Sequence, residues 1–505
     1  MSENLSEQLS LLPDYLSHHL ALALSALAIG IVVCLPLAVI VTRVKALQWP
    51  TLTFASIMQT IPGIALLALM VPLLGQIGFL PALIALFLYS LLPILRNTVT
   101  GILEVDKDMT EAARGIGMTS LQSLLRVELP LASPVIIAGI RTATVWVVGA
   151  ATLSTPVGAK SLGNFIFSGL QTQNQTAVLV GSVAAALLAI SLDQLIRLFE
   201  IAATRRSRPL ALVAGIALVI LIGCGLSPMI KSAISADQRP TVVIGAKPFT
   251  EQYILAELMS GLLEEAGFRA EVKPGMGSTI LFDALANGEV DCYIDYSGTI
   301  WANHMKRDDV LPSDSLLQLM TAWLKENHDI TCLGALGFNN TYALALPEII
   351  AEAKGIVTVG DLAPHSAQMV MGSDYEFFGR PEWVSLRDLY DLRFRELKSM
   401  DHSLMYAAVA EDEVDVIAAY STDGYIAAYK LRVLEDPKQA LPPYDAALLL
   451  SPQAAKDKRL ALALRSLIGS INNDAMRSAN KAVDLDNVSI GRAAKSLRAE
   501  IEKRK

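Results

Sequence analysis

The chain has 505 residues, a length that favours two or more domains. Hydrophobic residues make up 53% of it and charged residues 18%, so it is richer in apolar side chains than an ordinary soluble protein. The net charge of −8 argues against a nucleic-acid partner, because phosphate binding needs clustered Lys and Arg.

Long uncharged stretches recur before about Lys231. A bilayer crossing needs about 20 apolar residues as helix. The candidates are 20–42, 52–74, 76–95, 133–153, 176–192 and 209–230. Buried helices of a soluble protein are the alternative, but nothing in the remaining sequence could cover them all. We predict an all-α membrane domain with six spans. It comprises an extracytoplasmic segment at 1–19, a transmembrane domain at 20–208, and a sixth span with its linker at 209–238.

Basic residues predict the orientation of these spans. They follow the first, third and fifth: Arg43, Lys45, Arg96, Lys107, Arg114, Arg126, Arg205, Arg206 and Arg208. Positive connectors stay in the cytoplasm, so the chain starts outside and everything after Ile230 is outside too. We therefore predict a multi-pass protein of the bacterial cell membrane with an extracytoplasmic soluble half. Arg141 lies within the fourth span, where a structural role and a place on a transport path are both open.

The connector at 108–130 has internal order. Asp108 with Glu111, and Thr119 with Gln122, have the spacing of helix-start capping pairs. Gly117 lies between the pairs, and Pro130 is expected to end the second segment. The pattern predicts two short surface helices joined by a glycine turn.

This connector resembles the EAA loop of ABC-importer permeases. The resemblance rests on Glu111-Ala112-Ala113, then Gly117, then Val127-Glu128-Leu129-Pro130, with Val127 where Ile is usual. In that family the loop docks into an ATPase subunit. The resemblance therefore assigns coupling to Glu111, Ala112, Ala113, Gly117, Leu129 and Pro130. It also implies an ATPase dimer and a second copy of this chain as partners; the alternative is a chance helical hairpin.

The soluble half alternates strand and helix patterns. The runs 241–245, 290–296 and 414–420 predict strands, and 252–264 and 280–287 predict helices. Such alternation favours an α/β fold with mainly parallel sheets, which bind ligands beyond the carboxyl ends of their strands. Candidate ligand-binding residues near these ends are Lys247, Tyr296, Thr299, Tyr342, Arg380, Tyr406 and Tyr420.

Together these positions resemble the glycine betaine and proline betaine binding proteins of the two-lobed type II periplasmic-binding fold. The resemblance covers 239–505 and implies that Tyr296, Tyr342, Tyr406 and Tyr420 form a box around a trimethylammonium group. It implies that Lys247, Thr299 and Arg380 hold a carboxylate. Lobe one is expected at 239–342 with 445–505, and lobe two at 343–444. Aromatic faces suit a quaternary ammonium, which has no N–H to donate.

The predicted function is the permease and substrate-binding subunit of an ABC importer for glycine betaine or a related osmoprotectant. Ergothioneine, a histidine betaine, is an alternative substrate, and a betaine-sensing membrane receptor is an alternative of another class. No phosphate-binding GxxxxGK[ST] motif occurs, so we expect ATP hydrolysis in a separate subunit and no enzyme activity, metal or cofactor here. Cys292 and Cys332 could form a disulfide, which sequence alone leaves open.

Overall fold

The computed structural model describes residues 2–172, 174–234, 239–307 and 309–504. The chain divides into a helical unit and an α/β unit. The end of the predicted linker, 235–238, lies outside the described residues. The predicted fold class, an all-α membrane domain followed by a two-lobed α/β domain, is confirmed.

The helical unit is built from long apolar helices. They are α1 (Ser2–Arg43), α2 (Lys45–Thr60), α3 (Gly63–Leu74), α4 (Phe79–Leu103), α5 (Lys107–Gly115), α6 (Ser120–Ser123), α7 (Leu129–Ala151), α8 (Gly163–Gln171), α9 (Gln175–Thr204) and α10 (Arg208–Ile234). In the described part of the chain, five helical segments are long and apolar enough to cross a membrane, and a bent pair would make a sixth.

That bent pair is α2 and α3, whose axes meet at 102°. The break falls at Ile61 and Pro62, both in extended backbone conformations. Proline disfavours helical geometry in the residue before it, so the second predicted span is a broken one.

Two features of the helices differ from expectation. The predicted N-terminal segment 1–19 is not separate, because α1 runs without interruption from Ser2 to Arg43. Arg96, predicted in a cytoplasmic connector, lies inside α4, which continues to Leu103. The apolar run that predicted this span ends at Leu95, but helical geometry does not stop at a single charge.

The loop between α4 and α7 contains the predicted glycine turn, with Gly117 at a φ of +84°. The capping pair of Thr119 and Gln122 is confirmed. The first pair is wrong, because Asp106 rather than Asp108 caps α5. Pro130 does not end a helix either. The chain passes from α6 through a π-helical turn into α7, and Pro130 lies in the first turn of α7, where no backbone N–H is needed.

The α/β unit has ten strands within its described residues: β1 (Thr241–Gly245), β2 (Arg269–Lys273), β3 (Cys292–Tyr296), β4 (Thr331–Asn339), β5 (Tyr342–Pro347), β6 (Val370–Ser373), β7 (Glu396–Ser399), β8 (Val416–Tyr420), β9 (Leu431–Val433) and β10 (Asp445–Leu450). The helices are α11 (Thr250–Glu265), α12 (Ser278–Ala286), α13 (Ser297–Thr299), α14 (Ser313–His328), α15 (Glu348–Lys354), α16 (Val359–Ser366), α17 (Pro381–Tyr390), α18 (His402–Ala410), α19 (Tyr425–Ala428), α20 (Lys458–Leu464), α21 (Asn473–Asp484) and α22 (Ile490–Arg504).

The strands form two sheets, one for each lobe. The order is β2-β1-β3-β10-β4 in lobe one and β7-β6-β8-β5-β9 in lobe two. The expectation of mainly parallel sheets holds for four of the five strands in each sheet. One strand in each sheet, β10 and β5, runs antiparallel to both of its neighbours. These are the strands that follow the two crossings between the lobes, and each crossing reverses the direction of the chain.

The lobe boundary also needs a correction. Tyr342 was expected in lobe one, but it begins β5 and pairs with Tyr420 of β8, so it belongs to lobe two. The first crossing is the two-residue step from β4 to β5, and it precedes this tyrosine.

The four cysteines are free. Cys292 lies on β3 and Cys332 on β4, and β10 lies between these two strands. Two strand spacings, about 9.5 Å, exceed the Cα separation that a disulfide allows.

Candidate functional site

The candidate ligand-binding residues lie where the lobes face each other. Lys247 follows β1, Tyr296 ends β3, and Thr299 lies in the short helix after β3. From lobe two, Tyr342 begins β5 and Tyr420 ends β8. Most of these side chains therefore follow strand ends, as the sequence predicts.

Three of the four predicted box tyrosines belong to one aromatic cluster, which we define as Phe249, Tyr296, Tyr342 and Tyr420. The ring centroids of Tyr342 and Tyr420 are 4.9 Å apart. Phe249 of lobe one lies 5.7 Å from Tyr420 and 6.0 Å from Tyr296. Phe249 thus links rings from the two lobes. Sequence reasoning missed it, although its place two residues after Lys247 was an available signal.

The tyrosine hydroxyls are fixed by buried carboxylates. Tyr342 and Tyr420 donate to the same Asp374 oxygen at 3.2 and 3.0 Å. Tyr296 donates to Glu251 at 2.5 Å. Burial raises the pKa of all three tyrosines well above its usual value, so each remains a neutral donor. These hydrogen bonds therefore hold the rings in place. The cations Lys247 and Arg380 lie over the rings of Tyr296 and Tyr342, 5.4 and 5.3 Å from the ring centres.

Tyr406 is placed differently from the other three. It is fully buried in a separate core cluster of lobe two, donates to Asp423 and packs 4.9 Å from Tyr425. His402 stands between it and the aromatic cluster, 5.7 Å from Tyr406 and 4.8 Å from Tyr420. The structure therefore brings together Tyr296, Tyr342 and Tyr420 and sets Tyr406 behind His402.

His402 is a residue that sequence reasoning missed, and a lone histidine before a helix gave no signal. Its Nε2 lies 3.4 Å from the Asp423 carboxylate. Burial alone would lower its pKa, but the negative charge of Asp423 outweighs burial and raises the pKa of His402. A charge on this ring would lie next to Tyr420.

The two predicted carboxylate-holding cations have acidic partners of their own. Lys247 donates to Asp295 at 2.5 Å, and its Nζ is 5.4 Å from the centre of the Tyr296 ring. Arg380 donates to one oxygen of Glu382 at 2.8 Å and to the Tyr444 hydroxyl at 3.1 Å. These partners hold the cations rigidly and reduce the net positive charge of the site.

Arg380 lies at the edge of the aromatic cluster. Its guanidinium carbon is 5.3 Å from the centre of the Tyr342 ring, and the side chain is 6% exposed. Thr299 is also buried, at 4% exposed. A third acceptor is Glu376, to which Arg380 Nη1 donates at 3.4 Å. A guanidinium has five N–H donors, so Glu376, Glu382 and Tyr444 do not use all of them.

Glu251 joins segments from across the α/β unit. This buried carboxylate of α11 accepts hydrogen bonds from Tyr296, Asn340, Thr422 and Asn480. Thr422 belongs to lobe two, whereas Asn480 belongs to α21 beside lobe one. Burial raises the pKa of Glu251. This contact between lobes was not foreseen from the sequence, because its members are up to 229 residues apart.

The predicted coupling residues are mostly exposed. Glu111, Ala112, Gly117 and Pro130 face solvent, Leu129 is half-buried and Ala113 is buried. The loop is anchored by Glu128, which accepts from Arg43 of α1 at 2.5 Å. Large apolar side chains beside the motif, including Ile116 at 75% and Leu121 at 64%, are also exposed. This surface has the composition of a docking site for another protein.

A bundle of membrane helices with an exposed coupling loop, followed by a two-lobed binding domain, defines the membrane subunit of a binding-protein-dependent importer. Two families match the chain. "Binding-protein-dependent transport system inner membrane component" matches residues 27–205, and "Substrate binding domain of ABC-type glycine betaine transport system" matches residues 240–500. The chain belongs to the glycine betaine-type binding family, fused here to an ABC-importer permease.

Several relatives share all or part of this architecture. The ergothioneine transport permease/ergothioneine binding protein EgtU of Helicobacter pylori (strain G27) is 33% identical over 459 residues, covering 88% of this chain and 81% of that protein. The glycine betaine/carnitine/choline permease OpuCB of Bacillus subtilis (strain 168) is 45% identical over 182 residues, covering 36% of this chain and 83% of that protein. A glycine-betaine-binding protein of Pseudomonas aeruginosa (strain PAO1) is 32% identical over 269 residues, covering 50% of this chain and 86% of that protein.

These matches confirm the predicted function at the level of class. The chain is the permease and binding subunit of an osmoprotectant-type ABC importer. The prediction of a multi-pass membrane protein with an extracytoplasmic binding domain is confirmed as well. The matching proteins are transport permeases and binding proteins, which disfavours the receptor alternative and is consistent with a chain that is not an enzyme.

Proposed function

We propose that this chain imports a small trimethylammonium compound that also carries a carboxylate, with glycine betaine as the leading substrate. The observation that carries the proposal is the position of Arg380, 5.3 Å from the ring of Tyr342 in the aromatic cluster. A cation-binding surface and a carboxylate-binding group therefore lie side by side. Choline, which has no carboxylate, would use only the first.

Aromatic rings select a quaternary ammonium because their faces attract a cation that has no hydrogen to donate. Each desolvated ring contributes up to about 2 kcal/mol. We assign this role to Tyr296, Tyr342 and Tyr420 together with Phe249. Tyr406 supports the box through His402, which contacts both Tyr406 and Tyr420.

The carboxylate end of the ligand is assigned to Lys247, Thr299 and Arg380. Arg380 can offer the N–H donor that Glu376, Glu382 and Tyr444 leave free, and a charge-assisted bond is about twice as strong as a neutral one. Lobe one, at 239–341 with 445–505, and lobe two, at 342–444, are proposed to close over the ligand. The crossings between the lobes would serve as hinges.

Transport itself needs partners. We propose that a separate ATPase dimer docks on the exposed loop from Glu111 to Pro130, and that a second copy of this chain forms the other half of the pathway. Exposed apolar side chains beside Gly117, such as Ile116 and Leu121, support the first assignment.

The test is a calorimetric titration of the full chain in lipid nanodiscs with glycine betaine, proline betaine, carnitine, ergothioneine and choline. We expect saturable binding of at least one carboxylate-bearing ligand, at least tenfold tighter than that of choline. If no ligand of the panel binds, or if choline binds most tightly, the proposal is wrong.

Ergothioneine is the second candidate, and two observations favour it. The relative with the same fusion of permease and binding domain is an ergothioneine transporter. In addition, Glu382 Oε2 is buried and has no hydrogen-bond partner among the described residues. An imidazole N–H could satisfy such an acceptor, whereas glycine betaine has no N–H to offer. Tighter binding of ergothioneine than of glycine betaine in the same titration would favour this candidate.

A further inference from the structure

The membrane unit contains a cavity of about 460 Å³. It is lined by Ser56, Gln59, Thr60, Leu92, Pro93, Arg96, Asn97, Thr142 and Trp146. Thr142 lies 13 residues after the start of α7, about 20 Å along a helix of 23 residues. The cavity is therefore near the middle of the spans, and its volume is within the range of small-molecule sites.

Arg96 is the one charged residue among the described residues that line this cavity. An arginine within a span is costly unless it has a partner or faces water. Arg141 satisfies this condition with Asp193 at 2.5 Å and Glu200 at 3.5 Å. In the described residues, no ion pair or hydrogen bond joins the Arg96 side chain to another group, and it is exposed towards the cavity. Arg96 thus offers a free cation within a helix that is long and apolar enough to cross a membrane.

Groups that attract a cation lie on the other walls of the cavity. Trp146 of α7 is 53% exposed and lines the cavity, and an indole face binds cations best among the aromatic side chains. Helix α2 ends in the cavity wall at Thr60, just before its break with α3. The carbonyl end of a helix carries a partial negative charge. Broken helices of this kind form substrate sites near the midplane of other transporters.

We propose that this cavity is a second, weaker site for the transported trimethylammonium carboxylate, inside the permease. Trp146 and the end of α2 receive the quaternary ammonium, and Arg96 with Gln59 and Asn97 receives the carboxylate. The inference rests on the proposed function, because it takes its ligand class from the outer domain. It adds a selectivity step that follows release from that domain.

The test uses the full chain in nanodiscs with the outer site removed by Tyr342→Ala together with Arg380→Gln and Glu382→Gln, which leaves no unpaired charge at that pair. Thr142→Cys then places a thiol in the cavity, and its reaction with a small neutral thiol reagent is followed by peptide mass spectrometry. We expect 10 mM glycine betaine to slow this reaction at least threefold. A thiol at Leu179→Cys, exposed on α9 outside the cavity, should react at an unchanged rate.

Arg96→Gln supplies the chemical test. It should abolish protection by glycine betaine but preserve protection by choline, whereas Trp146→Ala should abolish both. Trp49→Ala and Arg197→Gln, at exposed positions outside the cavity, should change neither. Lack of protection in the parent protein, or equal loss for both ligands in Arg96→Gln, overturns the inference. If the wild-type outer domain nevertheless binds betaine, the proposed function stands without it.

Discussion

The proposed coupling loop and the proposed binding cleft differ in how their residues are arranged. The loop is one continuous segment between Lys107 and Pro130, and most of its predicted coupling residues are exposed. The cleft is assembled from separate strand ends of two lobes, and its side chains are buried and hydrogen-bonded to one another. A surface that docks on another subunit must leave its contacts open, whereas a ligand cage must be held rigid before the ligand arrives.

This difference predicts which amino-acid substitutions each site tolerates. In the loop, backbone shape matters more than contacts, because an added Cβ at Gly117 would meet nothing within 4 Å. In the cleft, each side chain holds another, so a single truncation leaves a buried group without its partner. The predictions below test this contrast, from the largest expected effect to the smallest.

The largest effect is expected from Gly117→Val. The φ of +84° at this position is costly for a β-branched residue, so the turn that presents the loop should change shape. We expect loss of ATP-driven uptake in proteoliposomes that also contain the ATPase, with unchanged betaine affinity of the outer domain.

Gly115→Ala is the matched control. Gly115 ends α5 in an ordinary conformation, and a Cβ there also meets nothing within 4 Å. It should retain uptake. Normal uptake in Gly117→Val with the ATPase still bound would contradict the assignment of the loop.

In the cleft, substitutions should distinguish the residues that bind the ammonium end of the ligand from those that bind its carboxylate end. Tyr296→Ala removes one face of the box and should cost about 2 kcal/mol, roughly thirtyfold in affinity, for betaine and choline alike. Tyr296→Phe keeps the aromatic face, so the loss of affinity should be much smaller than in Tyr296→Ala. Titration of the full chain in nanodiscs measures both.

The carboxylate end is tested by a double change, because Arg380→Ala alone would leave Glu382 buried without its partner. Arg380→Gln with Glu382→Gln removes both charges together and leaves two polar side chains in place of the ion pair. It should weaken betaine at least tenfold and leave choline unchanged, so that the affinity ratio of the two ligands collapses. Equal weakening of both ligands would require the roles to be reassigned.

The contrast also explains what could be predicted from sequence. Local structure in contiguous segments could be predicted, such as the turn at Gly117 and the strand that ends at Tyr420. The partners that hold the side chains of the site could not, because these are tertiary contacts. Lys247 and Asp295 are 48 residues apart, and nothing local marks Asp295 as a counter-charge. The end of the apolar run at Leu95 did not reveal that α4 continues through Arg96 to Leu103.

A smaller effect on affinity is expected from Phe249, which tests whether this ring is part of the aromatic box. Its ring contacts Tyr296 of lobe one and Tyr420 of lobe two, so it contributes to the box only when the lobes are together. Phe249→Leu should cost about 1 kcal/mol, roughly fivefold in betaine affinity, and Phe249→Tyr should restore most of it. Equal affinity of the leucine variant and the wild type would exclude Phe249 from the box.

A separate prediction, on stability rather than on ligand affinity, concerns pH and the buried end of α21. Asp484 accepts a hydrogen bond from Thr250 at 2.6 Å, and burial together with the Asp423 carboxylate raises its pKa to about 7. A carboxyl group whose pKa is higher in the folded than in the unfolded state favours folding at low pH. That contribution falls as pH rises from its unfolded pKa of 3.8 towards 7. From pH 5 to pH 7 the free energy of unfolding should therefore fall by roughly 2 kcal/mol on account of this group.

Asp484→Asn should remove this dependence. The melting temperature of the variant should therefore change by several degrees less than that of the wild type between pH 5 and pH 7. Three of the five tryptophans, Trp301, Trp323 and Trp383, lie in the binding domain. Their part of the intrinsic fluorescence follows the unfolding of that domain. Some dependence should remain in the variant, since the pKa of His402 is also raised and its stabilising charge is likewise lost as pH rises. If wild type and variant differ in stability by the same amount at pH 5 and pH 7, Asp484 is already ionised at the lower pH. The cleft would then hold a buried charge in place of the neutral acid that its surroundings favour.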